Sequence, residues 1–377
     1  MDVYINAVEK FLPGPPVSND EMENYLGKIN GTNSKARPIV LRNNGIKTRY
    51  YAIDKNQKST FSNAELTVSA IKKLQNDNFT IHDIKLLACG TTSPDQLLPS
   101  HASMVHGELK TGKTEYSSFS GSCNAGMLAM KYAWLSILSG NTENAVCTGS
   151  EKLSTWLIAD RYKNEAEKLA EIEKKPILAF SKEFLRWMLS DGAAAALLEN
   201  KPNKKGISLK INWIEITSFA GEIETCMYAG AEKTDAGKLI PWKDLSDEHI
   251  AENSLMVLQQ DTRLLGNNIV KKGAEFLVEL TEKHNFTTED INWFLPHLSS
   301  MYFKDKIYEE MKANGIFIAE EKWFLNLPYV GNVGSASAYL MLEELFNSGK
   351  LKKGEKILVM VPESARFSYT YMMLTVV

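Results

Sequence analysis

Short runs of consecutive apolar residues alternate along this chain with longer stretches whose apolar positions recur every three or four residues. Ile84–Cys89, Ala145–Thr148, Ala193–Leu198, Trp293–Pro296 and Lys356–Val361 are of the first kind and predict strands. Ser62–Gln75, Ala125–Leu138, Leu255–His284 and Ser335–Phe346 are of the second kind and predict helices. Strands separated by helices argue for α/β layers built on a largely parallel sheet. Two stretches break the pattern. Residues 162–176 are dense in Glu and Lys and end at Pro176, which predicts a solvated charged helix. Residues 219–243 hold several glycines and few helix or strand signals, and read as an excursion from the core.

The order of elements repeats. Thr80-Ile-His-Asp-Ile-Lys-Leu-Leu-Ala-Cys is similar to Thr288-Glu-Asp-Ile-Asn-Trp-Phe-Leu-Pro-His, each an acidic turn running into an apolar strand. Further on, Gly121-Ser-Cys-Asn-Ala-Gly leads a helix that stops near Gly140, before a strand ending at Thr148. In the second half Gly331-Asn-Val-Gly leads a helix that stops near Gly349, before a strand ending near Val361. Two matches in the same order favour a duplicated α/β unit. The turn-rich Asn200-Lys-Pro-Asn-Lys-Lys-Gly divides the halves, 1–203 and 204–377.

Composition narrows the class. Hydrophobic residues make up 44% and charged residues 24% of 377, an ordinary globular balance. Lys plus Arg (43) nearly offsets Asp plus Glu (46), so no global positive field draws the chain onto nucleic acid or anionic lipid. The apolar runs fall far short of the ~20 residues that span a bilayer. The start, Met1-Asp-Val-Tyr-Ile-Asn, lacks the basic and long apolar regions of a signal peptide. Four cysteines with no CxxC pair make neither a disulfide scaffold nor a zinc site. The expectation is a cytoplasmic protein in a reducing compartment, with no metal, cofactor, nucleic acid or membrane insertion.

Three residues carry candidate chemistry. Cys123 sits between a small-residue loop and the start of a helix, where the macrodipole and free N–H groups are expected to lower a thiol's pKa. The same place offers the Cys123 N–H as an oxyanion donor. A free cysteine is equally at home as a small buried hydrophobe. His297 leaves the C-terminal end of the strand Trp293–Pro296, where ligand chemistry gathers in layered α/β folds, although a lone histidine is often structural. Asn332 enters a small-residue helix, a place that also suits a turn or cap residue. The repeat puts Asn332 and Cys123 at related helix starts, so a pseudo-twofold axis would bring them together with His297. Cys89 and Cys147 read as strand packing, and Cys226 has no evident partner.

Taken together, the motifs resemble the β-ketoacyl-acyl-carrier-protein synthase III family of the thiolase superfamily. They run from Phe11-Leu-Pro and Asn44-Gly-Ile-Lys-Thr-Arg-Tyr through Gly90-Thr-Thr-Ser-Pro-Asp and the Cys123 motif. Ser190-Asp-Gly-Ala-Ala-Ala, Phe294-Leu-Pro-His and Gly331-Asn-Val-Gly-Ser-Ala-Ser complete the match. The resemblance implies a thiolase-like duplicated five-layer αβαβα sandwich, a homodimer, and acyl-CoA or acyl-carrier-protein substrates. It makes Cys123 the acyl-accepting nucleophile of a Claisen-type condensation, and His297 and Asn332 the pair that stabilises the enolate of the second thioester. It gives the N–H of Ser364 the second oxyanion role, beside that of Cys123, and Lys271 a part in docking the carrier protein. A cysteine protease shares the order Cys, His, Asn but not the duplicated pattern. A thiolase would have a second cysteine near the C-terminus, and an elongating synthase a second histidine in place of Asn332.

The chain departs from the family pattern in four places. Leu298-Ser299-Ser300 replaces the polar residues that usually follow the histidine, and Pro362-Glu-Ser-Ala-Arg366 replaces a Gly-rich loop. The segments 162–176 and 219–243 enlarge the chain. These departures are similar to those of condensing enzymes that make dialkylresorcinol and flexirubin-type pigments. Ordinary initiation of fatty-acid synthesis, or an inactive partner subunit of a condensing enzyme, are the alternatives.

Overall fold

The computed structural model describes residues 1–34, 36–162 and 184–377. To the large sheet its first half contributes five strands, β1 (Tyr4–Phe11), β2 (Leu86–Thr91), β3 (Glu115–Ser120), β4 (Asn144–Glu151) and β5 (Gly192–Glu199). The second half contributes β6 (Leu209–Ser218), β7 (Ile291–Pro296), β8 (Lys356–Glu363) and β9 (Ser368–Val376). Six helices pack on them: α1 (Asn63–Lys73), α2 (His101–Leu109), α3 (Ala125–Leu138), α4 (Thr262–His284), α5 (Tyr302–Ala313) and α6 (Ser337–Phe346).

The strands lie in the order β7-β8-β9-β6-β1-β5-β4-β2-β3. The seam between halves, β1 against β6, is only two residue pairs long, Tyr4 with Lys210 and Ile5 with Leu209. On either side of it the same arrangement occurs. In the first half β2/β4 is parallel, and β4/β5 and β5/β1 are antiparallel. In the second, β7/β8 is parallel, and β8/β9 and β9/β6 are antiparallel. β3 adds an outer parallel strand to the first half, and the parallel bridge Phe294–Trp323 stands in the matching place of the second. The acidic turns also match, as capping boxes Thr80/Asp83 and Thr287/Asp290. The second box starts at Thr287, one residue before the register read from the sequence.

Period-two alternation of the strands builds the layers. Leu87 and Cys89 of β2 pack with α1 and α2, while Leu86 and Ala88 face a central core shared with α3 and α6. In the second half Ile357, Val359 and Val361 of β8 face the same central core, and Leu358 and Met360 pack with α4 and α5. The result is five layers, αβαβα. The expected largely parallel sheet is instead mixed. Helices cover both faces of each half, so strands are apolar on both sides whatever their direction.

Element limits shift for local reasons. α4 starts at Thr262 rather than Leu255, because Asp261 caps it by accepting from the N–H groups of Arg263 and Leu264. Within 219–243, Ala231–Lys233 pairs with Leu239–Pro241, and Met227–Tyr228 pairs with Gln259–Gln260, so this stretch holds small ribbons. The charged helix expected over 162–176 lies, Tyr162 apart, outside the described residues.

Candidate active site

Cys123 lies in the turn between β3 and α3 and is tied to the far half of the chain by its neighbour. Asn124 donates from Nδ2 to Ser368 Oγ (3.1 Å), and its Oδ1 accepts from Thr370 Oγ1. The start of α3 touches the start of the helical stretch after Asn332. A Cβ on Gly126 or on Gly149 would stand 2.3 Å from the Ser335 carbonyl oxygen, so only glycine permits this approach. Tyr339 closes the contact by donating to the Gly126 carbonyl at 2.7 Å.

His297 follows β7 and is held by its backbone, whose N–H donates to the Met360 carbonyl at 2.8 Å. It shares with Cys123 and Ser364 a narrow tunnel of about 40 Å³. Two helix faces wall this tunnel, Leu265, Ile269 and Gly273 of α4 and Phe303, Ile307 and Met311 of α5. Both sets recur every four residues, as one helical face requires. Tyr369 and Tyr371 of β9 form its floor and donate to the carbonyls of Ile269 (3.0 Å) and Gly273 (2.8 Å). On the other side of the Cys123 turn is a polar cleft of about 360 Å³, lined by Ser122, Asn124, Tyr228, Glu363, Arg366 and Ser368, among others.

Electrostatics in the tunnel differ from the helix-start expectation. Burial pushes the Cys123 thiol up to about 12, helped by the negative charges of Glu363 and Glu151. The helix-dipole effect is weaker than desolvation here, so the thiol rests protonated. Burial pushes His297 down to about 4, leaving a neutral imidazole whose Nε2 has no partner among the described residues. Such an atom is suited to a hydrogen bond with a bound ligand.

Asn332 is buried but does not line the tunnel; its neighbour Gly331 shares a small cavity with His297. The Asn332 Oδ1 accepts from the Gly334 N–H at 3.0 Å, which leaves Nδ2 as the outward donor. Ser364 accepts from Gln260 Nε2 through its hydroxyl at 3.0 Å. Lys271 stands on the outer face of α4, its side chain 65% exposed and 3.9 Å from Glu275. Cys89 and Cys147 are buried in their strands, and Cys226 donates weakly to the Asp261 carbonyl.

Sequence reasoning passed over Glu151. Its buried carboxylate accepts from Thr92, Ser93 and the Ser335 N–H, and so joins β4 to the helical stretch after Asn332. A carboxylate ending the apolar strand at Thr148-Gly-Ser-Glu151 was the available signal. Among the described residues no cluster of His, Cys, Asp and Glu could hold a metal ion, and no helix is long and apolar enough to cross a membrane.

Residues 281–369 match the family described as 3-oxoacyl-[acyl-carrier-protein (ACP)] synthase III C terminal. The chain is 25% identical over 353 residues to a β-ketoacyl-[acyl-carrier-protein] synthase III of Clostridium perfringens, covering 93% of this chain and 92% of that one. It is 24% identical to the same-named protein of Chlorobaculum tepidum, covering 98% of each. Among solved structures it is similar to AbyA1, a tetronic acid condensing enzyme, with a TM-score of 0.75 at 19% identity over 99% of both chains. It is also similar to a Xanthomonas campestris OleA with bound lauric acid and lauroyl-CoA, with a TM-score of 0.72 at 19% identity, covering 100% of this chain and 99% of that one. Both likenesses are of fold.

Proposed function

We propose that this synthase-III-like acyltransferase joins two acyl thioesters head to tail, with the first carried on Cys123. The observation that carries this reading is that Cys123 and a neutral His297, from opposite halves, open on one apolar tunnel, with His297 Nε2 unpartnered. Sulfur attack on a thioester carbonyl would move the acyl group to Cys123 and release the donor thiol. The N–H groups of Cys123 and Ser364 would hold the oxyanion, and His297 and Asn332 would donate to the enolate oxygen of the second thioester. An uncharged imidazole is the right donor for an oxygen that gains charge. The stripe from Leu265 to Ala274 runs about 13 Å along α4, long enough for a medium acyl chain. At 40 Å³ the tunnel must widen to admit one, by rotation of flexible side chains such as Leu265 and Met311. Intact-protein mass after incubation with acyl-CoA and acyl-carrier-protein thioesters tests this. A single acyl adduct is expected, and its absence with every donor would reject the reading.

The finer assignment is to secondary metabolism of the dialkylresorcinol pigment type, supported by the charged loop Pro362–Arg366. Ordinary initiation of fatty-acid synthesis is the second reading, favoured by the names of the curated relatives. Acetyl-CoA with malonyl carrier protein as the preferred pair would decide for the second.

Two surface readings go with it. Lys271 is read as a docking point for an acidic carrier protein, so Lys271→Glu should weaken carrier-protein substrates about three- to tenfold while CoA substrates stay unaffected. Equal effects on both would remove that role. β3 is an open sheet edge carrying the half-exposed Tyr116, and an uncovered edge invites a second strand. Pairing of β3 with its copy would give a homodimer. Light scattering is expected to return twice the chain mass of 42.3 kDa, and Tyr116→Lys to shift it toward the single value. A single-chain mass for the unaltered protein would exclude the dimer.

A further inference from the structure

Glu363 puts a carboxylate at the end of β8, in the loop that the resemblance leads one to expect as glycine-rich. It is buried and folds the loop around itself. Oε2 accepts from the N–H and hydroxyl of Ser368 (3.3 and 3.1 Å) and from the Arg366 N–H (3.4 Å). Among the described residues Oε1 accepts only from the Ala365 N–H (2.7 Å), so one of its lone pairs has no partner there. In the same loop Phe367 takes a φ of +58° with its ring buried, a costly conformation for a non-glycine residue and one that gathers at functional sites.

Residues alternate along the end of β8, so Pro362 and Ser364 line the tunnel while Glu363 lines the polar cleft. The Cys123 turn divides in the same way, with Cys123 on the tunnel and Ser122 and Asn124 on the cleft. The two cavities therefore meet at Cys123, and the Glu363 charge acts on its sulfur. The other acidic group acting there is Glu151, whose carboxyl burial itself pushes up, and His297 is neutral. Among the described residues Arg366 is the one cation lining the cleft, and it is exposed. A thioester bearing a carboxylate would thus bring its charge beside two acidic groups, Glu363 and Glu151.

We propose that Glu363 selects an uncharged carbon nucleophile, an acyl or β-ketoacyl thioester rather than a malonyl-type one, and takes its α-proton. This rests on the reading of Cys123 as acyl carrier. The α C–H bond breaks, and its proton goes to Glu363 Oε1. Its electron pair forms the new carbon–carbon bond to the acyl carbonyl, and the bond from that carbonyl to Cys123 Sγ breaks. Glu363 then returns the proton to the thiolate, so the step balances without loss of carbon dioxide.

The test loads full-length protein with an acyl group and adds malonyl or β-ketoacyl thioesters, on CoA and on carrier protein. Product and carbon dioxide are measured. The uncharged donor is expected to react at least about tenfold faster, and Glu363→Gln to cut its condensation about a hundredfold or more, as loss of a general base does. Acyl loading should persist in the variant, which shows that it is folded; if it does not load, the donor preference of the unaltered protein decides. Preference for malonyl donors with stoichiometric carbon dioxide would overturn the proposal, as would undiminished condensation by a loaded Glu363→Gln. Failure of the unaltered protein to load would overturn it together with the Cys123 reading.

Discussion

Cys123→Ala is expected to abolish the acyl adduct and to lower condensation by about 10⁴-fold or more, the scale seen when a covalent nucleophile is removed. The residue is partly exposed at the tunnel, and Ala keeps its Cβ, so the fold should survive with a melting midpoint within a few degrees of the parent. Loss of the adduct together with loss of cooperative melting would instead mark Cys123 as a packing residue. The raised thiol adds a pH signature. With ionisation pushed up to about 12, thiolate is scarce at neutral pH, and the loading rate should keep climbing as pH rises through 7 to 9. A plateau near pH 7 would mean that the thiolate is already formed, contrary to the burial of this group. Persistent acylation of Cys123→Ala at the parental rate would remove the residue from the mechanism.

His297→Ala should separate the two half-reactions. On the proposed reading, acyl loading uses the Cys123 sulfur and the two backbone donors, which this change leaves in place. Condensation would then lose a donor to the enolate oxygen, at a cost of about 10²–10³-fold. Asn332→Ala should show the same split, with a stability loss as well, because Asn332 Oδ1 also caps the Gly334 N–H. The measurement is single-turnover chase of preloaded enzyme with the second thioester. If both variants chase at the parental rate, the enolate assignment is wrong. If loading itself collapses in His297→Ala, the imidazole serves the thiol rather than the second substrate.

The apolar strands and the duplicated order were legible because both are written in local periodicity. The helices Ala125–Leu138 and Ser337–Phe346 lie within a few residues of where periodicity puts them. Strand direction was not legible, since burial on both faces gives the same apolar run in parallel and antiparallel pairs. The Cys123 environment was half legible. Its position at a helix start is a matter of neighbouring residues, but its thiol is raised by burial in the folded tunnel, helped by Glu363, which lies 240 residues away at the end of β8. Glu151 escaped for a similar reason, because its partners include Thr92 and Ser335 from opposite halves. The convergence of Cys123 with His297 followed from the repeat, whereas the tunnel walls came from α4, which periodicity marked only as a helix, and from α5, which it did not mark.

The central layer has a consequence for how the chain comes to exist at all. α3 belongs to the first half and α6 to the second, yet both are buried in one core between the two halves of the sheet. Neither half made alone could cover its own inner helix, and the short β1–β6 seam could not supply the missing surface. The newly synthesised first half must therefore wait, with α3 exposed, until residues of α6 have emerged some 200 positions later. Folding is then a single late event governed by long-range contacts, and slow on that account. The two halves are thus obligate partners, and a change in either at Gly126, Gly149 or Ser335 is answerable to the other.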